Sequence, residues 1–371
     1  MSGPALRRRA LLAALGGASL PAPASEVRPR PLVFPRDHGA HPATRIEWWY
    51  ATGWLARAGE TAPAWGFQLT FFRTRTGLAE GLPGRFAARQ LLFAHAALTD
   101  LAARRLVHAE RIARWTGEPG APRAGAALDD TRVQIGPWRF GRDDTGPAGR
   151  YASRIAADDD AGFGWTLALA TTQPRLLQGQ AGFSRKGPLP THASHYYTQP
   201  QLAVDGTLSL RGGTPVAVHG RAWLDHEWSD SLMPDDAVGW DWIGINLEDG
   251  AALTAFRLRD QQGRAVWAGG SQRTRDGALR AFGADEVHFE PLAWWKSAAT
   301  QARYAVRWRI ACPAGTFELQ ALVEAQELDA RTSTGTVYWE GLSELRGADG
   351  ARIGLGYLEM TGYASALRLG G

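Results

Sequence analysis

Glu47-Trp48-Trp49-Tyr50-Ala51-Thr52-Gly53-Trp54-Leu55 and Trp65-Gly66-Phe67-Gln68-Leu69-Thr70-Phe71-Phe72-Arg73 read as two neighbouring β-strands. Both are aromatic and β-branched runs, and the polar Gly59-Glu60-Thr61 turn region lies between them. The texture continues over 91–98, 132–140, 151–156 and 164–170. It returns over 242–248, 251–259, 265–272, 286–291, 304–311, 316–324, 335–345 and 354–363. Gly263, Gly315 and Asp349-Gly350 punctuate the second series, the last being a strong hairpin signal. Only 99–115 and 121–128 have a composition that admits helix, and neither is well patterned. The chain therefore reads as all-β, with about eight short strands in each half. Two tandem antiparallel barrels or sandwiches are expected, joined near Asp205-Gly206 to Gly212-Gly213, so that 25–209 and 210–371 form the two domains.

Charge and composition narrow the function classes. Arg7-Arg8-Arg9, the apolar run 10–20 and Ala22-Pro23-Ala24 have the layout of an export signal over 1–24, with the arginines hinting at twin-arginine export. The apolar run is too short for a permanent span. The chain holds 41 basic and 37 acidic residues, and removing those three arginines leaves 38 against 37. The mature charge of +1 gives no case for nucleic acid. Cys312 is the single cysteine, so no internal disulfide can form and stability must come from a large core. A monomer in the periplasm or outside the cell is the expectation.

The densest chemistry lies in Trp223-Leu224-Asp225-His226-Glu227-Trp228-Ser229-Asp230 and Gly239-Trp240-Asp241-Trp242. Interleaved indoles and carboxylates suit an apolar pocket with a proton donor in its wall. Competing patterns are weak. His226, Glu227 and Asp230 lack the H-E-x-x-H spacing of zinc proteases, and the pairs His192/His195 and His38/His41 lie in loops, so no metal is expected. Gly182-Phe183-Ser184-Arg185-Lys186 is no nucleophile elbow, and Asp225, His226 and Ser229 are too close in sequence for a triad built from separate loops. Glu47, Glu340 and Glu359 sit beside aromatics, as carboxylates do in sugar sites, but Glu–Arg pairs explain them as easily.

Several of these segments resemble the lipocalin-like family of carotenoid 1,2-hydratase (hydroxyneurosporene synthase) and the AttH-type secreted proteins. The matching stretches are 47–50, 67–73, 93–100, His195-Tyr196-Tyr197, 223–230, 239–246, Tyr338-Trp339-Glu340-Gly341 and 356–363. The resemblance implies two calycin-type β-domains with a ligand cleft where they meet, and it sits closer to the AttH-type branch than to the hydratases proper. It also implies an acid-catalysed hydration of an isoprenoid alkene, which needs no cofactor. Asp241 is the first candidate acid, His226 would orient water or hold its proton, and Asp225, Asp230 or Glu47 are the substitutes. If the segment is a strand, Trp240 and Trp242 share the face opposite Asp241. The substrate walls would come from Glu47, Trp48, Tyr50, Tyr197, Trp228, Trp240, Trp242 and Trp339. The alternative is a periplasmic carrier that binds a small hydrophobic ligand and delivers it to a membrane transporter.

Overall fold

Ile46–Arg57 and Trp65–Arg75 pair antiparallel, with Trp48 opposite Phe72 and Tyr50 opposite Thr70. Both faces of Ile46–Arg57 are buried, which is why its sequence runs almost unbroken in apolar side chains. Trp49, Ala51 and Leu55 point into the core of their own sheet, and Trp48 and Tyr50 point toward the second sheet. The computed structural model describes residues 27–367 apart from 83, 85–86, 119–122, 144–148, 158–160, 212 and 232. The export signal expected over 1–24 lies outside the described residues.

Two antiparallel sheets make up the described chain, one tandem lipocalin-like β-domain each. The first runs in the spatial order Arg105–Trp115, Gln90–Asp100, Trp65–Arg75, Ile46–Arg57, Val216–Ser231, Ala193–Leu210, Phe163–Ala170, Arg150–Ala157, Trp138–Asp143, Arg132–Ile135, Ala124–Ala126. Its end strands Arg105–Trp115 and Ala124–Ala126 touch, curling it into a nearly closed barrel around Trp49, Phe71, Trp138, Trp165 and Leu224. The second runs Leu279–Phe282, Ala265–Arg273, Ala252–Arg259, Gly239–Leu247, Arg352–Thr361, Thr336–Arg346, Gly315–Ala321, Arg303–Cys312, His288–Lys296. Trp308, Trp339, Ile243 and Tyr304 lie in its core.

Three expectations change in detail. The 99–115 stretch is not helical: it is the end of Gln90–Asp100 and the strand Arg105–Trp115, turning at Arg104. The run 132–140 is a hairpin of Arg132–Ile135 and Trp138–Asp143, because Gly136 turns with φ +57° and Pro137 cannot donate to a ladder. The chain also changes sheet later than the 209/210 boundary. Val216–Ser231 stays in the first sheet between Ile46–Arg57 and Ala193–Leu210, so the crossing falls between Ser231 and Gly239. The Gly-rich segment at 205–213 leads into a hairpin within one sheet, and the Pro234-Asp235-Asp236 turn carries the chain across.

Polar clamps hold the sheets together. A bulge between Gln199 and Leu202 puts Gln201 at φ +54°, aiming it at the second sheet. There its backbone N–H donates to Asn246 Oδ1 (2.7 Å) and its amide to the carbonyls of Leu247 and Ala251. Thr99 donates to Gln326 Oε1 at 2.9 Å, and His95 Nδ1 lies 2.6 Å from the Tyr338 hydroxyl. Gly66 marks the closest approach: a Cβ there would lie 2.7 Å from Tyr357 Oη and 2.9 Å from Leu342.

Candidate functional site

Strand alternation sorts the 223–230 cluster into two environments. Leu224, His226 and Trp228 turn into the first barrel, and Trp223, Asp225 and Glu227 turn toward the second sheet. The same rule sends Trp48 and Tyr50 outward from Ile46–Arg57, and Trp240 and Trp242 outward from Gly239–Leu247. The outward sets meet in a cavity of about 360 Å³ between the sheets. Apolar rings, including Phe72, Phe93 and Phe256, form most of its wall, and Asp225, Glu227, Glu340 and Glu359 supply carboxyls. Gly244 makes room for this wall, since a Cβ there would lie 2.4 Å from the Trp242 ring and 2.9 Å from that of Trp223.

Asp225 is fixed on three donors. Thr198 Oγ1 (2.6 Å) and Trp223 Nε1 (2.9 Å) donate to Oδ1, and the Tyr196 hydroxyl (2.7 Å) donates to Oδ2. Tyr196 in turn accepts from Trp242 Nε1 at 3.3 Å. Burial pushes the Asp225 carboxyl up to about 7, outweighing the three donors that favour its charged form; the Glu227 charge adds to the rise. Glu227 differs because it pairs with Lys186 Nζ at 3.0 Å and accepts from the Ser194 hydroxyl. The Lys186 ammonium lies over the rings of Phe256 (4.3 Å) and Tyr196 (4.7 Å).

Glu340 and Glu359 oppose each other across Thr336–Arg346 and Arg352–Thr361. Burial, joined by the Glu359 charge, drives the Glu340 carboxyl well above the carboxylate range. Burial also pushes Glu359 up to about 8, against a hydrogen bond from Trp240. Two adjacent carboxyls in an apolar wall hold at least one proton near neutrality.

The inward face is a different site. Glu47 Oε1 lies 2.7 Å from His41 Nδ1 and 2.9 Å from His226 Nε2, and Arg73 Nε donates to Oε2 at 2.7 Å. The outer nitrogens are also engaged, His41 Nε2 with Asp37 (3.0 Å) and His226 Nδ1 with the Tyr197 hydroxyl (3.2 Å). Burial opposes the Glu47 charge, but Arg73 and the two imidazoles hold its carboxyl well below its usual range. Burial lowers His226 to about 4, so it is neutral at pH 7. His41, Glu47 and His226 bring three metal-ligating atoms within 4.8 Å of one another. Each of those atoms is already satisfied, and a cation there would face the Arg73 guanidinium. The donor set fits a sealed structural hub better than a metal centre.

The residues singled out from sequence divide accordingly. Asp225, Trp48, Tyr50, Trp240 and Trp242 line the cleft, and Glu47 reaches its edge while its carboxylate is committed to the hub. Asp241 does not line it. It sits on the opposite face of its strand, paired with Arg257 Nε (2.7 Å) and Arg259 Nε (3.5 Å) and accepting from the Tyr363 hydroxyl (2.8 Å). The expected primary acid is thus an ion-pair residue, as strand alternation requires of a position between two cleft-facing indoles. His226 is likewise on the wrong side of its strand to serve Asp225, and Ser229 donates to the Ala193 carbonyl, which rules out the triad. Tyr197 and Trp228 belong to the hub, where Trp228 stacks on His41 at 3.7 Å. Trp339 is core, donating to the Glu324 carbonyl, and Asp230 accepts from the Arg45 backbone. Lys186, Thr198 and Tyr196 belong to no catalytic pattern in the sequence. The spacings Tyr338-x-Glu340 and Tyr357-x-Glu359 were the available signal that both glutamates share a face with tyrosines.

The AttH-like family model matches residues 25–363. A crystal structure of an AttH from Nitrosomonas europaea is 42% identical, with a TM-score of 0.81 over 91% of this chain and 99% of that one. Kievitone hydratase from Nectria haematococca aligns at 14% identity and a TM-score of 0.66, over 90% of this chain and 94% of its own. CghA aligns at 16% identity and 0.53, over 95% and 97%. These last two share the fold. No curated protein sequence matches the chain.

Proposed function

The chain belongs to the AttH-like family, and from that premise we propose that it is a carotenoid 1,2-hydratase-like enzyme adding water to an isoprenoid alkene in the cleft between its sheets. The observation that carries this reading is Asp225: a carboxyl that keeps its proton up to about pH 7, fixed by three hydrogen bonds, in the wall of an aromatic cavity. Protonation of an alkene carbon by Asp225 would leave a tertiary carbocation and an aspartate. The faces of Trp48 and Trp242 can each lower the energy of that cation by roughly 0.5–2 kcal/mol. Attack by water forms the C–O bond, and the proton lost from that water returns to Asp225. The balance is alkene plus water giving alcohol, with no net change at the enzyme. Tyr196 acts as a positioning residue, because its hydroxyl bridges Asp225 and the Trp242 indole.

Export over 1–24 and action as a monomer outside the cytoplasm remain part of this reading. The direct test is turnover of acyclic terpenoid alkenes in D2O, followed by mass spectrometry. Wild type and Asp241→Asn, assayed where the latter is folded, should add one D2O to the double bond, and Asp225→Asn should not. Saturable quenching of tryptophan fluorescence with no product from any alkene would instead assign the cleft to a carrier that hands its ligand to a membrane transporter.

A further inference from the structure

The cleft carries more acid than its own cations neutralise. Glu47 is matched by Arg73 and Glu227 by Lys186. Glu340 and Glu359 oppose each other in direct register and both line the cavity, yet among the described residues no cation acts on either. Glu340 is 3% exposed and its Oε2 has no hydrogen-bond partner; Tyr50 is 4% exposed and its hydroxyl has none either. Both orphaned atoms belong to side chains in the cavity wall. A buried polar atom without a partner costs about 1–3 kcal/mol, so two of them in one wall mark a place where a ligand completes the bonding.

The charge of that ligand follows from the carboxyls. A neutral hydroxyl would satisfy one oxygen and leave in place the repulsion that makes the pair hold a proton near neutrality. A positive centre removes the repulsion, and the indoles of Trp48 and Trp240 on the same wall suit a cation dressed in alkyl groups better than a hydrated ion. We propose that Glu340, Glu359 and Tyr50 form a subsite for a positively charged centre bearing alkyl substituents. The charge can be that of an alkylated ammonium group on a resident ligand or that of a carbocation formed during alkene protonation; the electrostatics are the same. Binding of an alkylated ammonium requires no chemistry and is independent of the hydration reading, whereas the carbocation alternative rests on it.

Other groups in or beside the cavity are Tyr50, His95, Tyr196 and Asp225 from the first sheet, the Lys186–Glu227 pair beside them, and Tyr338 and Tyr357 from the second. Burial keeps all four phenols protonated and His95 neutral. Negative charge in the cleft therefore grows with pH through Glu359 and Asp225. Decyltrimethylammonium, whose charge does not titrate, and 1-decanol can be compared by tryptophan-fluorescence titration of the full-length protein near pH 6 and pH 9. The ammonium should bind at least about tenfold more tightly than the alcohol near pH 9 and lose at least about tenfold near pH 6. Glu340→Gln and Glu359→Gln, each isosteric, should bring it to the level of the alcohol without moving the alcohol's own affinity. Tight binding with no alkene turnover would indicate a resident cationic ligand; competitive inhibition of turnover would indicate the carbocation. Equal affinity for cation and alcohol in the wild-type protein would overturn the proposal without recourse to any variant, as would ammonium affinity unchanged in both glutamine variants.

Discussion

Replacing Asp225 with asparagine should change the pH dependence of stability between about pH 4 and pH 7. In the folded protein this carboxyl rises from its ordinary 3.8 to about 7, because burial withholds water from its charged form. At 1.36 kcal/mol per pK unit the displacement is worth about 4 kcal/mol. The folded state holds the proton where the unfolded chain has already lost it, so it binds more protons between about pH 4 and pH 7. Wild-type stability attributable to this group is therefore greatest below pH 4, falls as pH rises through that window, and levels off above about 7. Asparagine has no such dependence. It has a separate cost at every pH: Tyr196, Thr198 and Trp223 all donate to the carboxylate, and a single amide oxygen cannot accept from all three, for about 1–3 kcal/mol. The variant should thus be less stable than wild type near pH 4 and equal or more stable near pH 8, the difference swinging by about 4 kcal/mol. Urea unfolding of both proteins at intervals across that range measures it. A difference that stays flat would mean that Asp225 titrates as a solvated carboxyl, and the argument for a retained proton would fail.

Three further substitutions probe the frame around the cleft. Asp241→Asn should cost about 3–5 kcal/mol in thermal or urea unfolding, because Arg257 and Arg259 would be left charged and buried; cleft ligand affinity should persist where the variant is folded. Glu47→Gln should cost a similar amount through the stranded Arg73, and the loss should be insensitive to a chelator if the hub holds no metal. Gly66→Ala should push the sheets apart at Tyr357 and Leu342, costing about 1–3 kcal/mol and weakening tryptophan quenching by any cleft ligand.

Much of this architecture was readable from sequence because its signals are local. Aromatic and β-branched runs such as 47–55 and 65–73 identify strands, and the resemblance places a cleft between two β-domains. The sheet change was misplaced because Val216–Ser231 reads equally well as the opening strand of a second domain. Its membership is set by pairing with Ile46–Arg57, about 170 residues away in sequence. The placement of Asp241 outside the cleft is illegible in the sequence for a related reason. Alternation showed that Asp241 opposes Trp240 and Trp242, but only the packing of the second sheet shows which of the two faces borders the cavity. The reverse held for Asp225, a secondary candidate in the sequence whose three donors come from Tyr196 and Thr198 on one partner strand and from Trp223 two residues away. Glu340 and Glu359 read from sequence as sugar-site carboxylates or as members of Glu–Arg pairs. Their registry across Thr336–Arg346 and Arg352–Thr361 sets them side by side in the cleft wall, Glu340 buried and Glu359 half-buried.

Hydration in the cleft requires a hydrophobic alkene to bind beside Asp225. A crystal structure of the protein soaked with an acyclic terpenoid measures this directly. The chain should lie between Trp48 and Trp242, with its double bond within contact distance of the Asp225 carboxyl. Ligand density inside the first barrel against His226 and Tyr197, or an empty cleft under conditions that saturate fluorescence quenching, would contradict it.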